Sequence, residues 1–364
     1  LPLAAPADRG PQLHVTPAAG LVDEPIHVWC TSLTPRARIR LASRLEDEKG
    51  AVYRCECFYV ADARGTVDTK TQPSVGGSFE GVHPQGLLEH LASEVRGRRL
   101  LKRDVMRPWV VTVELGEGAV AQSRTVERWH LGPGVMMHEV NVGRLRGYIF
   151  EPPAKHGTHV PAVLDLFGVV GGCQTFRAAL LASHGFLTFA LAYLNYKDLP
   201  KSFPRGIDLS YFEEGARHLR AHPRALPGAG VGVVGTSFGG GVALAMAAWL
   251  PPSLIGAVVT YMNGAVLPVP VRQGERTLMK RAVAFSVLGG RINELGHAEG
   301  RCCYDMPEEA EKKGKLFPIW TGAVPLYFCF GDDDRAWRDF ARHRPTSPDL
   351  TPRSLSSDSI PNET

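Results

Sequence analysis

Val231-Gly-Val-Val-Gly235-Thr-Ser237-Phe-Gly239-Gly-Gly-Val-Ala-Leu-Ala-Met-Ala-Ala248 is the stretch that decides how the chain folds. A short apolar strand runs into a G-x-S-x-G turn and out into an alanine-rich helix. Strand, sharp turn and helix are the setting of a nucleophile elbow: the glycines permit the strained turn and a close helix, and the serine hydroxyl stands above the sheet. The backbone N–H of Phe238, at the helix N-terminus, can then face a developing oxyanion. The competing reading is a glycine-rich turn of a nucleotide-binding fold, but no G-x-G-x-x-G or P-loop lysine accompanies this one.

Working outward, apolar strands alternate with helical stretches on both sides of the elbow. Strands are expected at Arg146–Phe150, Ala162–Phe167, Leu187–Tyr193, Val231–Gly235, Ala257–Met262 and Pro325–Phe330, and helices at Cys173–His184, Leu209–Ala221 and Gly239–Leu250. The middle helix has a cap in Asp208 or Ser210, acids Glu213 and Glu214 in its first turn, and a stop before Pro223. Near-continuous apolar strands separated by helices imply a mostly parallel sheet covered on both faces.

Upstream of about Val142 the period is two rather than 3.6. His27–Cys30, Arg38–Arg44, Val52–Val60 and Trp109–Leu115 read as strands separated by turn signals at Glu48–Gly50, Ala63–Gly65 and Gly76–Gly77, the spacing of a sandwich. Cys55 and Cys57 share one strand face, which suits core packing. At the other end, 11 of the 19 residues Thr346–Thr364 are Ser, Thr or Pro, a composition that forms no core. The expected division is a β domain at 1–141, an α/β domain at 142–345 and a disordered tail at 346–364.

Composition narrows the function. Among 364 residues, 41 Lys+Arg against 37 Asp+Glu give a net charge of +4, too mild for nucleic acid and compatible with an anionic small molecule. Seven cysteines without a C-x-x-C favour neither a disulfide framework nor a zinc ribbon. The longest apolar runs, such as Phe186–Leu194, are far short of a membrane span, so no membrane insertion is expected. Leu1-Pro-Leu-Ala-Ala-Pro6 lacks the basic start and apolar region of a secretory signal.

The elbow needs partners. The loop Phe167-Gly168-Val-Val-Gly171-Gly172, after the strand Val163-Leu-Asp-Leu166, is suited to give a second oxyanion donor near Gly168. The acid belongs at the end of a later strand, since chain order in this arrangement is Ser, acid, His. Gly331-Asp332-Asp333-Asp334 follows such a strand, with Asp334 the first choice and Asp333 the second. His218 and His222 lie four apart, but Leu219 stands where an H-E-x-x-H motif needs glutamate, and a surface-helix pair is the better reading. The basic run Arg96, Arg98, Arg99, Lys102 and Arg103 is either a solvated face or a contact for phosphates.

Several segments together carry a resemblance: Gly76-Gly-Ser-Phe-Glu-Gly81, Leu101-Lys-Arg-Asp-Val105, Ala192-Tyr-Leu-Asn-Tyr-Lys-Asp-Leu-Pro200, Tyr211-Phe-Glu-Glu214, Gly230-Val-Gly-Val-Val-Gly235 and Gly331-Asp-Asp-Asp-Arg-Ala-Trp337. Over roughly residues 10–345 the chain resembles the type I acyl-CoA thioesterase and bile acid-CoA:amino acid N-acyltransferase family. The resemblance implies an N-terminal immunoglobulin-like β-sandwich and a C-terminal α/β-hydrolase domain. It also implies an acyl-CoA substrate and a nucleophile, Ser in thioesterases or Cys in aminoacyltransferases, served by Asp and His; Ser237 stands at that position. No cofactor is implied, CoA being part of the substrate.

The family pattern is expected to stop near Phe340, without the usual last strand and helix. In the family the histidine lies well downstream of the acid, in a Gly-His segment. Here only 30 residues follow Asp334, and His343 is the only histidine among them, in Ala341-Arg-His-Arg-Pro345. The expected activity is acyl-CoA thioester hydrolysis by Ser237, Asp334 and His343, with Phe238 and Gly168 at the oxyanion. The alternatives are N-acylation of glycine or taurine, and a catalytically impaired isoform that binds acyl-CoA. Pro361–Thr364 lacks a peroxisomal Ser-Lys-Leu address, and the cytoplasm is the expected compartment, with mitochondrion or peroxisome as alternatives.

Overall fold

The computed structural model of the chain describes residues 10–95, 98–117, 120–203, 205–261, 267–279, 291–292, 298–299, 317–319 and 323–329. The β-rich part holds a six-stranded and a three-stranded sheet. Arg38–Glu46, Val52–Val60, Trp109–Glu117 and Val120–Trp129 pair antiparallel in the larger one, and Gln12–Thr16, His27–Thr31 and Val67–Asp68 form the smaller. Leu13, Val28, Cys30 and Val67 of the small sheet share one core with Leu41, Cys57, Val113 and Leu115 of the large one, so the sheets pack face to face. Strict alternation buries Tyr53, Cys55, Cys57 and Tyr59, as the two-residue period predicts.

The second part is built on a seven-stranded sheet. Its strands are β1 (Met136–Val142), β2 (Leu145–Glu151), β3 (Ala162–Leu166), β4 (Leu187–Ala192), β5 (Val231–Thr236), β6 (Ile255–Tyr261) and β7 (Leu326–Cys329). They lie in the order β1-β2-β4-β3-β5-β6-β7. The pairs β1/β2 and β2/β4 are antiparallel and the rest are parallel. The central strands β3 and β4 are buried at every residue, which is why they read as apolar runs. Three helices flank the sheet among the described residues: α1 (Phe176–Ser183), α2 (Leu209–Arg220) and α3 (Phe238–Trp249). Asp208 caps α2, accepting from Ser210 N–H at 3.0 Å.

Two elements differ from expectation. β1 was not anticipated: only Val140 in it is buried and five of its residues are exposed, so it shows no period-two apolar signal. α1 starts at Phe176 rather than Cys173, because Cys173–Thr175 complete the turn that Gly171 and Gly172 open at φ 71° and 72°.

Candidate active site

Ser237 stands between β5 and α3 with φ 54° and ψ −124°, a backbone conformation costly for any residue with a Cβ. The turn is held from below: Ser237 N–H donates to the Tyr261 carbonyl at 2.8 Å, and its own carbonyl accepts from Gly240 N–H at 2.9 Å. The flanking glycines are required by close approach. A Cβ on Gly235 would stand 2.6 Å from Gly240 Cα, and one on Gly239 would meet the Leu166 carbonyl oxygen at 2.5 Å. Helix and strand therefore touch backbone to backbone, and the serine is lifted above the sheet. Its side chain makes no capping hydrogen bond to α3 and is half-buried.

Gly168 faces this serine. A Cβ added there would lie 3.2 Å from Ser237 Cβ and 3.6 Å from Ser237 Oγ. The loop turns back through a Gly171 N–H to Gly168 carbonyl contact of 3.5 Å and is tied to the end of β4 by Gly172 N–H on the Leu194 carbonyl at 2.9 Å. Phe238, first residue of α3, brings an amide from the turn whose N–H groups have no intrahelical acceptor. The structure thus brings Ser237, Phe238 and Gly168 together. Asp333, Asp334 and His343 lie outside the described residues.

Val169 and Val170 on the same loop are more than half exposed, so the rim beside Ser237 is apolar. Behind it the Phe238 ring stacks on Phe203, centroids 5.3 Å apart and planes 3° apart, with Tyr193 stacked on both. Tyr193 and Phe203 also line a cavity of about 330 Å³, with Leu199, Ile207 and Phe212. The Tyr193 hydroxyl donates to the Phe167 carbonyl, fixing the residue before Gly168. Cys173, on the far side of that loop, is no rival nucleophile: burial pushes its thiol up to about 12. Burial likewise raises Tyr261 and Cys329, at the sheet end next to the elbow, so neither adds a charge there at neutral pH.

One feature of the site was not anticipated. Asp165, the single acid in β3, is buried and paired with Arg177 of α1. Arg177 Nε donates to Asp165 Oδ1 at 2.9 Å, and the same guanidinium reaches Thr236 Oγ1 and the Leu166 carbonyl, the latter at 3.1 Å. The signal was an aspartate inside an all-apolar strand, which must have a partner.

Of the other candidates, several are held in structural pairs; in the basic run Arg96 lies outside the described residues, and Arg99 and Arg103 are exposed. Lys102, expected on a solvated or phosphate-binding face, is buried with its ammonium 2.7 Å from Glu48 and 4.3 Å from the Trp109 ring centroid. Arg98 pairs with Asp47 at 3.0 Å. Glu213 pairs with Arg217 and Glu214 with Arg144. His222 Nδ1 accepts from Arg224 N–H at 3.2 Å, and burial pushes its pKa down. Among the described residues no group of three or more His, Cys, Asp or Glu side chains is arranged to hold a metal, and no helix is long and apolar enough to cross a membrane.

Two family profiles match the chain: the acyl-CoA thioester hydrolase/BAAT N-terminal region over residues 23–142, and the BAAT/acyl-CoA thioester hydrolase C-terminal region over residues 207–350. The second runs past Phe340, where the family pattern was expected to stop, and spans both Asp334 and His343. The chain is similar to acyl-coenzyme A amino acid N-acyltransferase 2 of Mus musculus, 41% identical over 89% of this chain and 78% of that one. It is 39% identical to the bile acid-CoA:amino acid N-acyltransferase of Homo sapiens over the same shares. Acyl-coenzyme A thioesterase 2, mitochondrial, of Homo sapiens is 36% identical over 92% of this chain and 70% of that one.

Proposed function

The chain belongs to the family of acyl-CoA thioester hydrolases and bile acid-CoA:amino acid N-acyltransferases, and from that membership and the elbow geometry we propose that it hydrolyses acyl-CoA thioesters through Ser237. The observation that carries the reading is Ser237 in its left-handed turn with Gly168 across from its hydroxyl. Ser237 Oγ attacks the thioester carbonyl carbon, the C–S bond breaks and CoA leaves as thiolate. Water then attacks the acyl-serine ester and releases the carboxylic acid. The amides of Phe238 and the Gly168 loop hold the oxyanion in both steps. Asp334 orients His343, which takes the serine proton and gives it up as CoA departs, then takes a proton from the attacking water and returns it to Ser237 Oγ as the acid is released. A thiol of pKa ~8.5 leaves readily as thiolate, so protonating the leaving group matters less than in amide cleavage.

The apolar rim at Val169 and Val170 suits an acyl chain. In this reading the two packed sheets of the N-terminal part form the immunoglobulin-like sandwich, at 1–141. Residues 142–345 form the α/β-hydrolase domain and 346–364 a tail. The proposed compartment is the cytoplasm, with the mitochondrion, named for one relative, as the alternative.

N-acyl transfer to an amine is the second reading, favoured by two relatives of that name. Product identity separates the two. Acyl-CoA supplied with glycine or taurine gives free carboxylic acid if water is the acceptor; an amide product in its place would overturn the hydrolase reading.

A further inference from the structure

Arg177 has no place in the mechanism above, yet it is bonded to both halves of the site. The β3/β5 ladder ends at the pair Leu166 and Gly235. Beyond that pair, Phe167-Gly168 leads to the oxyanion loop and Thr236-Ser237 to the nucleophile, and no further ladder bonds hold the two segments together. Arg177 occupies that point. From the second residue of α1 its guanidinium donates to the Leu166 carbonyl at 3.1 Å and the Val234 carbonyl at 3.4 Å, and to the Thr236 hydroxyl directly before Ser237. Nε and Nη2 both bond Asp165 Oδ1. The guanidinium carbon lies 5.7 Å from the ring centroid of Tyr261, whose carbonyl accepts the Ser237 N–H.

Stability does not account for this arrangement. A buried ion pair must recover its desolvation cost, and an apolar pair of similar volume often serves a fold as well. What an apolar pair cannot do is bond two strands at once with a rigid, planar fork. A lysine at 177 could reach one of these acceptors but could not span all four.

We infer that Arg177, oriented by Asp165, is a positioning residue that fixes the Gly168 loop against Ser237, so that the oxyanion donors meet the acyl carbonyl as it turns tetrahedral. The inference rests on the acyl-CoA reading of the site for its catalytic consequence, but not for its structural one. A displacement of about 1 Å at an oxyanion site is enough to cost one to two orders of magnitude in rate.

The test uses the full chain and the variants Arg177→Met, Arg177→Lys and Thr236→Val, with active serines counted by titration with a lipid phosphonate. In Arg177→Met, kcat per titrated serine falls tenfold or more while KM stays within about twofold; Thr236→Val falls less, and Arg177→Lys stands between wild type and Met. Amide hydrogen exchange is read in parallel: exchange at residues 167–172 and 236–240 quickens at least tenfold in Arg177→Met, while Phe189–Leu191 in β4 is unchanged. If Arg177→Met does not fold, Arg177→Lys carries the same comparison. Unchanged exchange in both segments, or an unchanged kcat per titrated serine in a turning-over enzyme, overturns the inference. Quickened exchange in Arg177→Met, beside a wild-type chain that never releases CoA, counts against the acyl-CoA reading and leaves the positioning role standing.

Discussion

Gly168 and Ser237 face each other so closely that a methyl group on the glycine would stand 3.2 Å from the serine Cβ and 3.6 Å from its hydroxyl oxygen. These two residues are 69 positions apart in the chain and are brought together by adjacent parallel strands, β3 and β5. The space between them is where an acyl carbonyl must sit if the serine is to attack it.

Gly168→Ala therefore acts on chemistry before stability. The added methyl fills the space over the hydroxyl without meeting any backbone atom closer than 3.5 Å. The expected result is a kcat/KM lower by about tenfold to a hundredfold, with the unfolding midpoint little changed. Steady-state kinetics beside a urea titration check both parts.

Gly239→Ala acts in the opposite order. Its methyl would meet the Leu166 carbonyl oxygen at 2.5 Å and carbon at 2.7 Å, so helix α3 must move off the sheet. Overpacking against backbone costs about 2 kcal/mol or more, expected as a lower urea midpoint at unchanged slope.

The conformation of Ser237 itself makes a separable prediction. At φ 54° an L-residue is strained and glycine is not, so Ser237→Gly should be more stable than Ser237→Ala by about 1 kcal/mol, both being inactive. Equal stability in paired urea titrations would mean the elbow stores no strain.

His130 gives the pH prediction. It is buried against Phe176 of α1, its Nδ1 has no partner, and burial together with nearby Lys102 depresses its pKa from 6.5 to about 4. Between those values the unfolded chain binds the proton that the folded chain refuses. Stability is thus full above pH 6.5 and falls as the pH drops toward 4, by up to about 3 kcal/mol. In His130→Asn, urea midpoints measured from pH 7 to 4.5 should decline less steeply than in wild type.

The elbow was legible in the sequence because its glycines answer a purely local demand, backbone touching backbone across one turn. β3 and β4 were legible because burial at every residue leaves them apolar apart from Asp165 and Thr188, and the strand Val52–Val60 because one buried face imposes alternation. β1 was not, since its exposed Met136, His138, Glu139, Asn141 and Val142 follow no period. Lys102 was misread because its partners, Glu48 and Trp109, come from other segments of the chain. Asp165 announced itself as a charge in an apolar strand, but nothing local to it names Arg177, twelve residues on, as the partner.

The catalysis proposed for this site depends on Ser237 turning over acyl-CoA. CoA release from a long-chain acyl-CoA, followed with a thiol reagent for this chain and for Ser237→Ala, tests it most directly. The wild-type chain is expected to release CoA catalytically, one free fatty acid per CoA, and the variant none above background. Equal release by both chains, or none by folded wild type, would contradict that expectation.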